Sequence, residues 1–237
     1  MDLLPYLYET HLHTSESSRC GETSGALMAR HYAALGFTGI FVTDHFVTGY
    51  SHANIKANWD KRIDILCAGY HAAKREGDSR GLDVFFAWEY PYEGGDFLTY
   101  GLDEAFLRAH PELENMERRR DIAGYARLIR QNGGFIVQAH PFREASYIRH
   151  GRAEVQIPHI DGIEVYNGSH LNEEFDRKAY RKARETGLPM AAGSDTHSVT
   201  MSGTGYMSFS HRLRDAHEFI SLVKTGDCQI VRAGRRM

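Results

Sequence analysis

Five short stretches of this chain carry the residue types that bind divalent metal ions. They are Glu9-Thr10-His11-Leu12-His13, Thr43-Asp44-His45, Trp88-Glu89-Tyr90, Ala139-His140-Pro141 and Gly193-Ser194-Asp195-Thr196-His197. Each lies at the end of an apolar, strand-like run. Imidazole nitrogen and carboxylate oxygen are the usual ligands for zinc, manganese and iron, and several such ions held together activate water for hydrolysis. No single stretch is specific. Their joint occurrence points to a multi-metal hydrolytic centre.

Local geometry supports that chemistry. Residues i and i+2 of a strand share a face, so His11 and His13 project together with Glu9 beside them, and Asp195 and His197 repeat the spacing. A carboxylate at the end of an aromatic strand, as at Glu89, is costly to bury unpaired, and an ion would relieve that cost; a partner Arg or Lys is the alternative. Arg143 follows His140 by three residues and is a candidate guanidinium clamp for a phosphate, or else a surface ion-pair residue. Asp44-His45 has a second reading as a metal-free catalytic dyad. That reading is the weaker one, because the chain has no G-x-S-x-G elbow and no suitably placed nucleophilic cysteine.

The elements that must position these residues alternate between strand and helix. Strands are expected at 6–13, 39–43, 84–88, 97–100, 135–139, 162–166 and 190–193, with a turn at Glu93-Gly94-Gly95-Asp96. Helices are expected at 24–35, 58–75, 121–131, 172–186 and 215–224, with Gly36 stopping the first. This alternation implies a parallel sheet with helices packed outside it, whose ligand site lies beyond the carboxyl ends of the strands. His45, Glu89, His140 and Asp195 all fall at that end. No linker, repeat or low-complexity tract divides the chain, so residues 1–237 read as one domain.

The composition is that of a globular protein, with a net charge of −3 that gives no general grip on nucleic acid. The Arg118-Arg119-Arg120 run lies beside Glu112, Glu114 and Glu117 and reads as a solvated mixed-charge face. Histidine is in excess at 14 copies, which favours a metal site without naming its ligands. The three cysteines, Cys20, Cys67 and Cys228, are far apart and form no C-x-x-C pair, so a disulfide framework and a zinc ribbon are not expected. No secretory leader or membrane span is evident, and a reducing, cytoplasmic setting is expected.

The ordered set His11-x-His13, Thr43-Asp44-His45, Ala139-His140-Pro141 and Ser194-Asp195-Thr196-His197, with Glu89 between the second and third, resembles the signature of the PHP (polymerase and histidinol phosphatase) family of metal-dependent phosphoesterases. The resemblance extends from about Tyr8 to Phe209. It implies a distorted seven-stranded (β/α) barrel with two or three divalent ions (zinc, manganese or iron) at the carboxyl-end face. It also implies that His11, His13, Glu89 and Asp195 hold a first ion and that Glu89 bridges to a second, which His140 also binds. His45 and His197 would hold a third with help from the loop after His13. Two positions depart from the pattern. Asp96 stands where many members have histidine, and after His13 the candidates are Glu16 and Glu22.

Other residues are less informative. His31, His71, His110, His150, His159, His211 and His217 lack a supporting cluster and read as surface or locally bonded. Asn167 and His170 follow a strand and suit either ligand contact or loop capping. Tyr50, His52 and Trp59 lie in the long loop after His45, where selectivity can reside. Glu164 points toward the barrel interior or the site.

The leading expectation is a phosphatase of the histidinol-phosphatase type, acting on a small phosphorylated metabolite through metal-activated water. Arg143 would bind phosphate, Asp195 would be essential, and His45 or His197 would be candidates to protonate the leaving group. The rivals are a phosphodiesterase or exonuclease acting on nucleotides or DNA ends, and a non-catalytic, metal-stabilised interaction module. Neither a membrane nor a long nucleic acid is an expected partner.

Overall fold

The computed structural model describes residues 3–92, 95–118, 120–146, 148 and 155–232. Glu93 and Gly94 of the expected turn, Arg119 of the basic run and His150 lie outside the described residues. Among the described residues, nine strands form one mixed sheet: β1 (Tyr6–Glu9), β2 (Gly39–Val42), β3 (Asp83–Tyr90), β4 (Phe97–Tyr100), β5 (Phe135–Gln138), β6 (Gly162–Asn167), β7 (Met190–Gly193), β8 (Gly205–Phe209) and β9 (Gln229–Arg232). The helices are α1 (Gly25–Ala34), α2 (Trp59–Arg80), α3 (Glu104–Ala109), α4 (Leu113–Arg118), α5 (Ile122–Gln131), α6 (Glu173–Thr186) and α7 (Ala216–Thr225).

The strand order is β7-β6-β5-β4-β3-β2-β1-β8-β9. This corrects the expected seven-stranded parallel sheet in two ways. First, β4 runs antiparallel to both neighbours, β3 and β5. Its connection from β3 is too short for the crossover that a parallel pair needs. Second, β8 and β9 extend the sheet antiparallel from β1. The antiparallel β4 matters for the site, because its first residue, Phe97, pairs with Tyr90 and Gln138. Asp96 therefore arrives on the same rim as the carboxyl ends of β3 and β5.

The sheet curls into a nearly closed barrel. Its seam is fastened beyond the strand ends by a parallel bridge between Leu12 and Thr196, with His13 N–H donating to Thr196 O at 2.9 Å. Gly193 makes that approach possible, since a Cβ there would lie 2.4 Å from His11 Cβ. The buried Glu9 carboxylate straddles the seam. Oε1 accepts from the backbone N–H groups of Thr10, His11 and Ser194, and Oε2 accepts from the Tyr32 hydroxyl at 2.7 Å. Burial is the largest influence on this carboxyl and raises its pKa.

Strand periodicity sorts side chains between the two faces of the barrel wall. On β3, Val84, Phe86 and Trp88 face the helices, while Ala87 joins an interior cluster with Phe41, Leu98, Tyr100, Phe135 and Val137. Glu89 continues the interior face. On β6, Ile163 and Val165 pack outward, so Glu164 points inward. Phe219, Ile220 and Val223 of α7 pack against the interior cluster. Helix ends follow local chemistry: Ser24, Asn58, Asp121, Asn172 and Asp215 cap amino termini, and Gly81, Gly187 and Gly226 close α2, α6 and α7 in the left-handed region. Among the described residues, no helix is long and apolar enough to cross a membrane.

Candidate metal centre

The rim at the carboxyl ends of the strands gathers side chains from five segments. His11 and His13 lie just beyond β1, His45 beyond β2, His140 beyond β5, and Asp195 and His197 beyond β7; Glu89 is the penultimate residue of β3. The hydrogen-bonded part of β1 ends at Glu9, short of the expected strand to His13. The two imidazoles nevertheless meet, with their Nε2 atoms 3.2 Å apart. Three groups have ligand atoms within 4.8 Å of one another: His11, His13 and Asp195; His11, Glu89 and His140; and His13, Cys20, His45 and His197.

Glu89 lies at the centre of this cluster. Its Oε1 is 3.0 Å from His140 Nε2 and 3.5 Å from His11 Nε2, and its Oε2 is 2.9 Å from His45 Nδ1 and 3.4 Å from His13 Nε2. Asp195 Oδ1 lies 3.5 Å from Nε2 of both His11 and His13 and 3.9 Å from His197 Nε2. Asp96 Oδ2 sits at the margin, 3.9 Å from His140 Nε2. Among the described residues, two buried atoms here have no well-aligned hydrogen bond: Glu89 Oε2, despite its 2.9 Å approach to His45 Nδ1, and His140 Nδ1. A buried carboxylate whose two oxygens together face four imidazoles, one oxygen without a well-aligned hydrogen bond, is an arrangement that a cation satisfies. The donor set, five imidazoles with Glu89, Asp96 and Asp195, fits divalent ions of the zinc, manganese and iron class.

A surrounding layer fixes the orientation of these groups. Glu164 Oε1 accepts from His11 Nδ1 at 2.9 Å, and Glu164 Oε2 accepts from His140 N–H at 2.7 Å and Asn167 Nδ2 at 2.8 Å. With Nδ1 committed, His11 presents Nε2 to the cluster. The Ser18 hydroxyl donates to Asp44 Oδ1 at 2.6 Å, so it accepts from His45 N–H and from His13 Nδ1 at 3.3 Å. His13 therefore also offers Nε2. Paired imidazoles and carboxylates of this kind set the tautomer and basicity of metal ligands. Asp195 Oδ2 is turned away from the cluster and accepts from Arg143 Nη2 at 2.7 Å, Ser169 Oγ at 2.9 Å and Asn167 Nδ2 at 3.3 Å.

The electrostatics follow from this packing. Burial would raise the Glu89 carboxyl, but the charges of His45 and His11 outweigh it and hold it well below the usual carboxylate range. Asp195 is likewise held low by His11 and Arg143 against the opposing effect of burial. Burial and the neighbouring His45 push His13 down to about 3. Burial opposes protonation of His11, yet Asp195, Glu164 and Glu89 together raise it well above its ordinary value. His13 is thus neutral and ready to ligate, while His11 must surrender a proton to do so. The backbone is strained at the same place, with φ of 31° at His140, 68° at Phe142 and 52° at Asp195. Positive φ in non-glycine residues is uncommon and concentrates at functional sites.

Most of the expected residues meet here, and Glu16 does not. Its two carboxylate oxygens accept from Gly25 N–H at 3.2 and 2.9 Å, at the amino terminus of α1, where the helix dipole favours an anion. Glu22 enters none of the potential ion-holding groups among the described residues. The loop instead contributes Cys20, which a search confined to carboxylates and imidazoles passes over. Ser18 and Ser169 also support the site without a sequence signal, and Asp44, read as part of the Thr43-Asp44-His45 stretch or as half of a dyad, instead holds the Ser18 hydroxyl. Arg143 lines the cavity and is bonded to Asp195. His170 pairs with Asp176 at 2.8 Å rather than joining the cluster. His31, His71, His110 and His211 find local partners in Ser202, Glu104, Glu112 and Glu218. Trp59 donates to Leu107 O, whereas Tyr50 lines the cavity. That cavity has a volume of about 550 Å³ and is walled by Cys20, His45, Glu89, Asp96, His140, Asp195 and His197 together with Pro91, Arg143 and Tyr50. A larger hollow of about 740 Å³, lined by Asp83, Arg212 and His217 among others, includes none of the grouped ligands.

Residues 173–228 match the PHP-associated family model. A two-domain protein from Bacteroides vulgatus, which contains a domain assigned as a PHP-like metal-dependent phosphoesterase, superposes with a TM-score of 0.64 at 16% identity, covering 98% of this chain and 67% of that one. The fold is PHP-like. A protein from Bifidobacterium adolescentis assigned as a metal-dependent phosphoesterase gives a TM-score of 0.59 at 13% identity over 94% of this chain and 98% of its own. A lesion-specific endonuclease of Pyrococcus furiosus gives a TM-score of 0.59 at 13% identity over 95% of this chain and 57% of its own. No curated protein matches this chain by sequence.

Proposed function

We propose that this protein is a metal-dependent phosphoesterase of the phosphatase type, hydrolysing a small phosphorylated metabolite. The observation that carries the reading is the convergence of His11, His13, Glu89, His140 and Asp195 in two overlapping groups of buried ligand atoms, of which Glu89, His140 and Asp195 line a cavity of about 550 Å³. A cavity of that size suits a small ligand.

Two or three bound divalent ions would lower the pKa of a coordinated water and draw negative charge from the phosphoryl oxygens. His11, His13 and Asp195 would hold one ion, Glu89 would be shared with the ion at His140, and His45 and His197 would hold the third. Arg143 orients Asp195 and places a positive charge on the cavity wall, where it attracts a phosphate. His45 and His197 are partly exposed to the cavity, with side-chain exposures of 16% and 23%, so an ion held by them would face the substrate.

A nucleotide or DNA-end substrate is the second reading, favoured by the similarity in fold to the Pyrococcus endonuclease. The net charge of −3 argues against a long polynucleotide. The deciding experiment is a panel of phosphomonoesters, nucleotides and DNA ends assayed with and without chelator. Chelator-sensitive turnover of a phosphomonoester, restored by Zn²⁺, Mn²⁺ or Fe²⁺ and lost in Asp195→Ala, is expected. A fully metallated protein inactive on the whole panel would reject the proposal, and steeply salt-dependent turnover of DNA ends would favour the second reading.

A further inference from the structure

Seven residues beyond His13, the loop between β1 and α1 brings Cys20 to the cluster. The loop is anchored on both sides of that cysteine. Arg19 N–H donates to Tyr50 O at 3.0 Å, and Ser18 bridges Ser51, tying the loop to the segment that follows His45. Glu22 N–H donates to His197 O at 2.8 Å, and Ser15 N–H to Thr23 O at 3.0 Å. Between these anchors the chain passes against Thr14, where a Cβ on Gly21 would lie 2.4 Å from the Thr14 carbonyl atoms. Cys20 is therefore pinned between the two segments that carry His45 and His197.

The ligand atoms of Cys20, His45, His197 and His13 all lie within 4.8 Å of one another. His13 directs its Nε2 toward His11, 3.2 Å away, which leaves Cys20, His45 and His197 as a set of their own. Donors around a tetrahedral zinc stand about 2.0–2.3 Å from the ion, so separations of this order need only small side-chain adjustments. We propose that Cys20, His45 and His197 form a thiolate–imidazole metal site whose fourth position opens into the cavity, beside the carboxylate-bridged group at Glu89.

The two groups differ in hardness. Thiolate with two imidazoles selects zinc or another thiophilic ion, whereas Glu89, Asp195 and Asp96 with imidazoles also accept manganese or iron. The centre is thus built for two kinds of ion, and both groups contribute to the cavity wall. This inference rests on the metal-centre part of the functional reading and is independent of which ester is cleaved.

The test is cobalt(II) titration of the metal-free full-length protein, followed by absorption spectroscopy, with Cys20→Ser and Cys20→Asp alongside. The wild type should develop an intense near-ultraviolet thiolate-to-cobalt charge-transfer band. Cys20→Ser should lose the band and bind zinc at least about tenfold more weakly in chelator competition. Cys20→Asp should retain cobalt without the band, which separates loss of the thiolate from loss of folding. A wild-type spectrum without the band, or a band that persists in Cys20→Ser through Cys67 or Cys228, would overturn the proposal. The band in a protein without phosphoesterase activity would leave this site standing and reject the hydrolytic function. Hydrolysis without the band would do the reverse.

Discussion

Replacing Glu164 with glutamine tests how the site is held without touching a proposed ligand. The carboxylate accepts three hydrogen bonds, from His11 Nδ1, His140 N–H and Asn167 Nδ2. Glutamine has the same shape but only one accepting oxygen. If that oxygen serves His140 and Asn167, the amide NH₂ faces the His11 Nδ1 proton, and His11 must shift its tautomer and withdraw Nε2 as a ligand. If the oxygen serves His11, the NH₂ opposes His140 N–H, and a buried donor is left unpaired at about 1–3 kcal/mol. Either outcome also removes the negative charge that makes His11 a stronger base. Loss of such a partner weakens metal binding by about 10–100-fold, or about 1.4–2.8 kcal/mol. Competition titration with a chromophoric chelator measures the affinity, and circular dichroism confirms that the variant folds. A folded Glu164→Gln protein with wild-type metal affinity would refute the claim that Glu164 sets the His11 ligand.

Further expectations concern the loop and the cavity wall. Burial is the largest influence on Asp44 and raises its carboxyl from 3.8 to about 6, despite the hydrogen bonds from Ser18 and Thr14. Its stabilising contribution in the metal-free protein is therefore complete below the unfolded value and lost as pH rises through about 6, a change of about 3 kcal/mol. Asp44→Asn should gain that amount relative to wild type between about pH 4 and pH 7 in denaturant melts, whereas parallel profiles would contradict the assignment. Arg143→Ala removes a charge-assisted bond to Asp195 and a phosphate-attracting group, so kcat/KM for a phosphomonoester should fall by about 10–100-fold. Unchanged kinetics would exclude Arg143 from the site.

Much of the scaffold was legible because periodicity in strands and helices reports burial directly. The runs at Gly39–Val42 and Phe135–Gln138 were evident, and so was the shared rim, since apolar strands there end in imidazole or carboxylate. Two features escaped for physical reasons. The strands β8 and β9 pair through backbone hydrogen bonds, and the half-exposed side chains of β9 leave only a weak apolar pattern. The ligand chemistry of the loop after His13 depends on where its backbone turns. Glu16 satisfies the amino terminus of α1, and the anchors at Arg19 and Glu22 turn Cys20 inward instead. Residue type alone favoured the carboxylate. Glu164 was ambiguous until Ile163 and Val165 proved to face the helices.

The most direct measurement is an anomalous-scattering crystal structure of the protein loaded with divalent metal. Peaks should appear within bonding distance of His11, His13 and Asp195, and of Glu89 and His140. Metal-loaded crystals with ions bound elsewhere, and none between these side chains, would contradict the central claim that the five stretches fold together to share a few cations.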